Sequence, residues 1–261
     1  MLGMTLVKRR LFLAALCVMF AAEPAFAAAP ATPLTIHLAG DSTMAEKLPE
    51  KRPETGWGEH LLEQFRAGTV TIDNRAKNGR STRTFIGEGR WQALLDATRP
   101  GDVVLIQFGH NDASENKPDR YTPPADYVRN LARFVADVRE RKAVPVLLTP
   151  VARRRFDEAG RLRPSHGVYP DLVRELAMSD HVPLVDLERR SSALLQETGA
   201  ETSKKLFLWV APGTNPNYPE GVADNTHFSP EGAQRVAREF ALALCGLDVP
   251  LKDRLRQPCA P

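Results

Sequence analysis

Apolar positions in this chain follow two alternating rhythms. Short continuous runs of about five residues alternate with longer stretches spaced by three and four, as buried strands alternating with amphipathic helices require. Residues 34–39, interrupted only by Thr35 and His37, predict a first strand that stops at Gly40. Residues 49–55 read as a charged, proline-containing loop, and 57–65, with apolar residues at 57, 61, 62 and 65, predict a helix. A short strand at 70–72, a polar turn at 78–82 and a helix at 91–97 come next. Residues 102–108 form the clearest strand, ending at Gly109. A polar loop at 113–126, long enough to border a cleft, leads to a helix at 127–143. Its Tyr127, Leu131, Phe134, Val135 and Val138 share one face.

The second half continues the rhythm. Strands are predicted at 144–148 and, despite Pro183, at 182–187, with a helix at 172–178 between them. Residues 156–162 suggest a small excursion turning at Gly160, and 191–208 a partly helical segment interrupted near Gly199. A coil at 211–225, with three prolines and two glycines, precedes a last helix at 230–244. Pro230 suits its first turn and Ser229 its cap. Such alternation through one chain predicts an α/β fold, a three-layer α/β/α sandwich around a mainly parallel sheet.

The N-terminus breaks this pattern. Lys8-Arg9-Arg10 precedes an apolar run from Leu11 to Ala22, and Ala25-Phe26-Ala27 supplies small residues around a cleavage point. That order is the one found in secretory signal peptides, and the run is shorter than the roughly 20 residues of a membrane-spanning helix. The expectation is a signal peptide at 1–27, no membrane anchor after cleavage, a secreted or periplasmic product, and one domain over 28–261. Cleavage takes the formal charge from +3 to +1, so the basic balance gives no reason to expect nucleic acid as a partner. It also removes Cys17 and leaves Cys245 and Cys259. In an oxidising compartment that pair is compatible with a disulfide tying the tail to the last helix, or with two separate thiols.

Four short constellations carry candidate chemistry: Gly40-Asp41-Ser42, Asn78-Gly79-Arg80-Ser81, Gly109-His110-Asn111-Asp112 and Asp224-Asn225-Thr226-His227. Each follows a strand or precedes a helix, and a parallel sheet gathers such points at one edge. Singly, each has a plain structural reading. Ser42 suits a helix cap, Gly79 a positive-φ turn, Asn111 a turn, Asp224 a turn cap, and His227 an exposed loop. Together they supply a hydroxyl, an imidazole, a carboxylate to orient it and oxyanion donors, the parts that acyl transfer needs. Asp224 and His227 are three residues apart, close enough to meet within one loop. Asn111 donates without titrating.

Gly40-Asp41-Ser42, Gly79, Gly109-x-Asn111-Asp112 and Asp224-x-x-His227 resemble the four sequence blocks of the SGNH (GDSL-type) hydrolases. The longer strings Gly40-Asp41-Ser42-Thr43-Met44-Ala45 and Arg52-Pro53-Glu54-Thr55-Gly56-Trp57-Gly58 are similar to the rhamnogalacturonan acetylesterase branch. The resemblance implies Ser42 as nucleophile, His227 as general base and Asp224 as the acid that orients it. It also implies an oxyanion hole from the Ser42 and Gly79 N–H groups and the Asn111 amide. By the same pattern His110 is a structural or substrate-side residue. Asp41 and Asp112 are expected to hold loops through backbone hydrogen bonds, and His37 to be a hydrogen-bonded core group. His60, His166 and His181 show no ligand spacing, so no metal is expected, and no cofactor. Arg80 first, then Arg83 and the Arg153–Arg155 run, are candidates to face a polyuronate.

The function expected is a secreted serine esterase removing acetyl groups from a pectic polysaccharide, acting as a monomer on an acetylated polysaccharide partner. The alternatives are the same machinery on acetylated xylan, small esters or thioesters, and a non-catalytic carbohydrate-binding domain. Gly40-Asp41-Ser42-Thr43-Met44 lacks the last glycine of a Gly-x-Ser-x-Gly elbow, which disfavours a lipase of the α/β-hydrolase fold.

Overall fold

Strands with apolar residues on both faces need cover on both sides. The computed structural model, which describes residues 32–259, supplies it. β1 (Leu34–Gly40) and β2 (Val70–Asn74) lead to α1 (Thr82–Gly87), α2 (Arg90–Ala97), β3 (Val103–Gln107) and α3 (Pro124–Glu140). Then come β4 (Val144–Leu148), α4 (Tyr169–Ser179), β5 (Leu184–Val185) and α5 (Leu187–Thr198). β6 (Phe207–Val210), β7 (Val222–Phe228) and α6 (Pro230–Leu244) complete the order. The leader expected at 1–27 lies outside the described residues.

The five-stranded sheet is parallel throughout, in the order β2-β1-β3-β4-β5. Successive side chains on a strand point to opposite faces. Accordingly Ile36, Leu38, Val103, Leu105, Val146 and Leu148 pack against α5 and α6 through Leu195, Val236 and Phe240. Val104, Ile106 and Leu147 face the other way, against Trp91, Phe134 and Val173 of α2, α3 and α4. This is the expected three-layer sandwich. Its strand order reverses direction between β1 and β3, and such a reversal opens a crevice beyond the carboxyl ends of the strands. Gly40 at the end of β1 lies beside Gln107 at the end of β3, so Ser42 and Asn111 emerge on either side of that crevice.

His37 is buried in β1, with Nδ1 2.8 Å from Asp73 and Nε2 3.1 Å from Asp102, as its place in an apolar strand suggested. The excursion at 156–162 closes through an antiparallel bridge between Phe156 and Leu162, with Gly160 at φ +72°. Cys245 and Cys259 are joined in a disulfide.

Several elements depart from the sequence expectation. Residues 57–65 form two 3-10 turns, Trp57–His60 and Leu62–Gln64. Tertiary hydrogen bonds override the helical spacing, because Trp57 N–H donates to Thr43 O and Arg66 N–H to Arg254 O. Gly56 passes so close to the loop after β1 that a Cβ there would lie 2.0 Å from Ala45 O. The strand expected at 182–187 shrinks to two residues, since Pro183 has no N–H for the ladder and Asp186 already caps α5. α1 begins inside what read as a polar turn. Ser81 caps it, exchanging hydrogen bonds with Thr84. The partly helical segment expected at 191–208 ends instead in a strand, Phe207–Val210, paired with β7, which itself replaces the end of the expected coil.

Candidate active site

The loop after β1 is held by a carboxylate. Asp41 Oδ1 accepts from Thr43 N–H at 2.9 Å and from the Thr43 hydroxyl at 2.8 Å, and the tight turn presents Ser42 at the sheet edge. Burial raises the Asp41 carboxyl, and the Thr43 hydrogen bonds oppose that rise. Asp112 does the same work after β3, accepting from the N–H and hydroxyl of Thr82 at 2.9 and 2.6 Å. Burial pushes it up to about 6 despite those bonds.

The opposite wall comes from a bulge. Trp209 pairs with Ala223 and Phe207 with Phe228, so β6 contributes Leu208 alone where β7 contributes Asp224 to His227. Surplus residues in a bulge are thrown out of the ladder. Here Asp224 Oδ1 gathers them by accepting from the N–H groups of Thr226 at 2.6 Å and His227 at 3.0 Å. Its other oxygen lies 2.6 Å from His227 Nδ1, and His227 Nε2 lies 2.9 Å from Ser42 Oγ. Burial by itself would raise the Asp224 carboxyl. The hydrogen bonds and charge of His227 and the two backbone donors outweigh it and bring the value to about 2.

Gly79 has φ +79°, a left-handed conformation that glycine adopts without strain. Neither its N–H nor that of Ser42 donates to any acceptor among the described residues. Asn111 gives one amide hydrogen to Arg80 O at 2.9 Å, and its second has no partner among the described residues. Ser42, Gly79 and Asn111 all line one cavity with His227. Three unpaired donors therefore border the hydroxyl–imidazole–carboxylate line.

A family model described as GDSL-like Lipase/Acylhydrolase matches residues 38–235. The chain belongs to that family. As a member of it, the chain is an enzyme that hydrolyses carboxylic esters. It is 44% identical to a rhamnogalacturonan acetylesterase of Bacillus subtilis, over 85% of this chain and 94% of that one. A rhamnogalacturonan acetylesterase of Emericella nidulans is 30% identical, over 85% and 89%. Among solved structures, a Bacillus subtilis protein, YXIM, aligns with a TM-score of 0.70 at 26% identity, over 82% of this chain and 56% of that one. An acetylxylan esterase of Geobacillus stearothermophilus shares the fold, with a TM-score of 0.58 at 19% identity, over 81% and 94%.

In this GDSL-like hydrolase the cavity over Ser42 holds about 610 Å³, and no aliphatic or aromatic hydrocarbon side chain lines it. Five cationic side chains, Lys51, Arg80, Lys117, Arg120 and Arg153, face it with three carboxylates, Glu54, Glu88 and Asp119. Arg80 is at the expected place, yet its guanidinium is engaged by Glu88 at 2.9 Å and by Asn78 O at 2.7 Å. Lys51, Lys117 and Arg153 have no carboxylate within ion-pair distance among the described residues. Of the other arginines, Arg83 donates to Pro118 O, and Arg154 points inward to Ser203 and Asn225. His110 is buried, with Nδ1 3.0 Å from His166 Nε2. Burial first, then the charges of Arg153 and His227, push it well below the usual imidazole range, so it is neutral.

Lys51, Lys117 and Arg120, which face the cavity, were not singled out as site residues from the sequence, and no local signal marks them. Glu54 also faces the cavity. It sits in the Arg52–Gly58 string, which the family resemblance had picked out without assigning a role.

Proposed function

We propose that this esterase removes O-acetyl groups from a pectic polysaccharide, rhamnogalacturonan, outside the cytoplasm and through an acetyl-Ser42 intermediate. Ser42 Oγ attacks the acetyl carbonyl carbon while His227 Nε2 takes the hydroxyl proton. The carbonyl oxygen becomes an oxyanion held by the N–H groups of Ser42 and Gly79 and the free hydrogen of Asn111. Collapse breaks the bond to the sugar oxygen, which takes the proton back from His227. Water then repeats the sequence on the acyl-serine, releasing acetate and restoring Ser42.

The observation that carries this reading is the polar, cation-rich cavity directly above the Ser42–His227 pair. A long acyl chain would meet no apolar wall there. A small acetyl group on a hydroxylated, anionic sugar chain finds hydrogen-bonding groups and lysines in place. The names of the two curated relatives support the same substrate. Export is supported by the leader pattern at 1–27 and by the Cys245–Cys259 disulfide, a bond that persists in oxidising compartments.

The test is acetate release from acetylated rhamnogalacturonan, acetylated xylan and long-chain esters by one preparation. Acetylated rhamnogalacturonan is expected to give the highest kcat/KM, with an advantage over xylan that shrinks as salt screens the lysines. Equal or faster release from xylan would overturn the pectic assignment. Asn111→Ala is expected to lower kcat by roughly 10²–10³-fold with KM little changed, the loss seen when one oxyanion donor is removed. A change confined to KM would instead make Asn111 a binding group.

A further inference from the structure

The Arg52–Gly58 string takes no part in the steps above, yet it carries a buried charge into the site. Glu54 Oε1 lies 2.7 Å from the ammonium of Lys47, whose side chain is fully buried. That ammonium also donates to the backbone carbonyl of Ser42 and, at 2.9 Å, to Asn78 Oδ1. Its three partners belong to three separate segments: the loop after β1 that carries the nucleophile, the loop after β2 that carries Gly79, and the 52–58 string. The string is tied in turn to the bulge, because Thr55 N–H donates to Phe228 O at 3.0 Å, one residue beyond His227. Glu54 Oε1 meets Lys47 as a charge contact and makes no aligned hydrogen bond. The same oxygen lies 4.0 Å from His227 Nε2.

A buried ion pair is a poor way to stabilise a fold, since apolar side chains of similar volume often do as well or better. Its contacts suggest another use. We propose that Lys47 and Glu54 act as a positioning pair, in which Lys47 locks the Ser42 and Gly79 donors into one frame and Glu54 supplies a negative field at His227 that Lys47 partly cancels. The proposal rests on the Ser42–His227 reading given above.

Among the described residues, Lys51, Arg80, Lys117, Arg120, Glu88 and Asp119 line the same cavity as His227, and other groups stand nearer. Asp224 holds Nδ1, Glu54 stands on the Nε2 side with Lys47 behind it, and Asp41, neutral His110 and Arg153 lie further off. Burial lowers the Lys47 ammonium from the usual lysine range, and the hydrogen bond and charge of Glu54 oppose that fall. The signs follow directly. Removing the Glu54 charge makes the imidazolium harder to form, and removing the Lys47 charge makes it easier.

The experiment compares Lys47→Met, Glu54→Gln and the double variant in the full chain. Aryl acetate kinetics are measured against pH, and the His227 ring is titrated by NMR. Glu54→Gln is expected to move the acid limb and the ring titration down by about one pH unit, and Lys47→Met to move them up. The double variant is expected to return near the wild-type midpoint while its kcat stays about 10–100-fold low at unchanged KM, because the clamp is gone. Recovery of wild-type kcat in the double variant, or shifts of the same sign in both singles, would overturn the proposal. If Lys47→Met does not fold, Glu54→Gln decides the field and the neutral double variant decides the clamp. If wild-type protein released no acetate at all, the functional reading would fail, and the NMR shifts would still decide this one.

Discussion

Ser42→Ala is expected to cut kcat on acetyl esters by about 10⁵–10⁶-fold while leaving the fold in place. The size follows from what is removed. Without Oγ there is no acyl-enzyme, and only the oxyanion donors and substrate binding continue to act on water, which elsewhere leaves a small residual rate. The fold should persist because Oγ makes one hydrogen bond, to His227 at 2.9 Å. The turn around it is built from other atoms. Asp41 binds Thr43, and Lys47 binds the Ser42 carbonyl, which alanine keeps. Losing one such side-chain bond costs about 1 kcal/mol, within reach of a thermal melt. Acetate release and intact mass after mixing with an aryl acetate read the chemistry. The wild type should carry one acetyl group transiently and the variant none. Activity above about one per cent of wild type would be incompatible with Ser42 as nucleophile, given the loss a missing nucleophile causes elsewhere.

What the sequence reveals here depends on how local each determinant is. The α3 stripe of Tyr127, Leu131, Phe134, Val135 and Val138 is buried along its whole length, because spacing within one helix decides which face turns inward. The start of α6 is legible for the same reason: Ser229 accepts from Gly232 N–H directly ahead of Pro230. Residues 57–65 mislead because their helical spacing yields to hydrogen bonds with Thr43 and Arg254, partners a local pattern does not contain. Phe207–Val210 has the composition of a strand, but its partner β7 is interrupted by the bulge that carries Asp224 and His227.

The site divides along the same line. Ser42 and His227 lie 185 residues apart, yet both stand in short motifs at element ends, and a parallel sheet brings such ends to one edge. Charge pairing has no comparable signature. Nothing in the spacing says that Glu88 captures Arg80, that Arg154 turns inward, or that Lys47 is buried under Ser42. Those outcomes depend on distances between loops.

Asp224→Asn is expected to lower kcat by about 10⁴-fold with little loss of stability, and the bulge explains why so small a change matters. Two backbone N–H groups, of Thr226 and His227, point at Oδ1. An amide in the same place must offer them its oxygen, so its NH₂ falls where Oδ2 was, 2.6 Å from His227 Nδ1. A donor there forces the imidazole to carry its proton on Nε2, the nitrogen that must accept from Ser42, and the wrong tautomer costs about that much in a comparable triad. Asp224→Ala removes both roles and leaves the two N–H groups without an acceptor, so it should also lower the melting temperature, which the asparagine variant should not. The low Asp224 value, about 2, means the wild-type carboxylate stays ionised at any pH where His227 can act as a base. The variant's deficit should therefore not be reproduced by mild acid acting on Asp224. Kinetics and melts of both variants, with the Nδ1 proton followed by NMR, test the argument. An asparagine variant within tenfold of wild type would show that the tautomer of His227 is fixed by something other than this carboxylate.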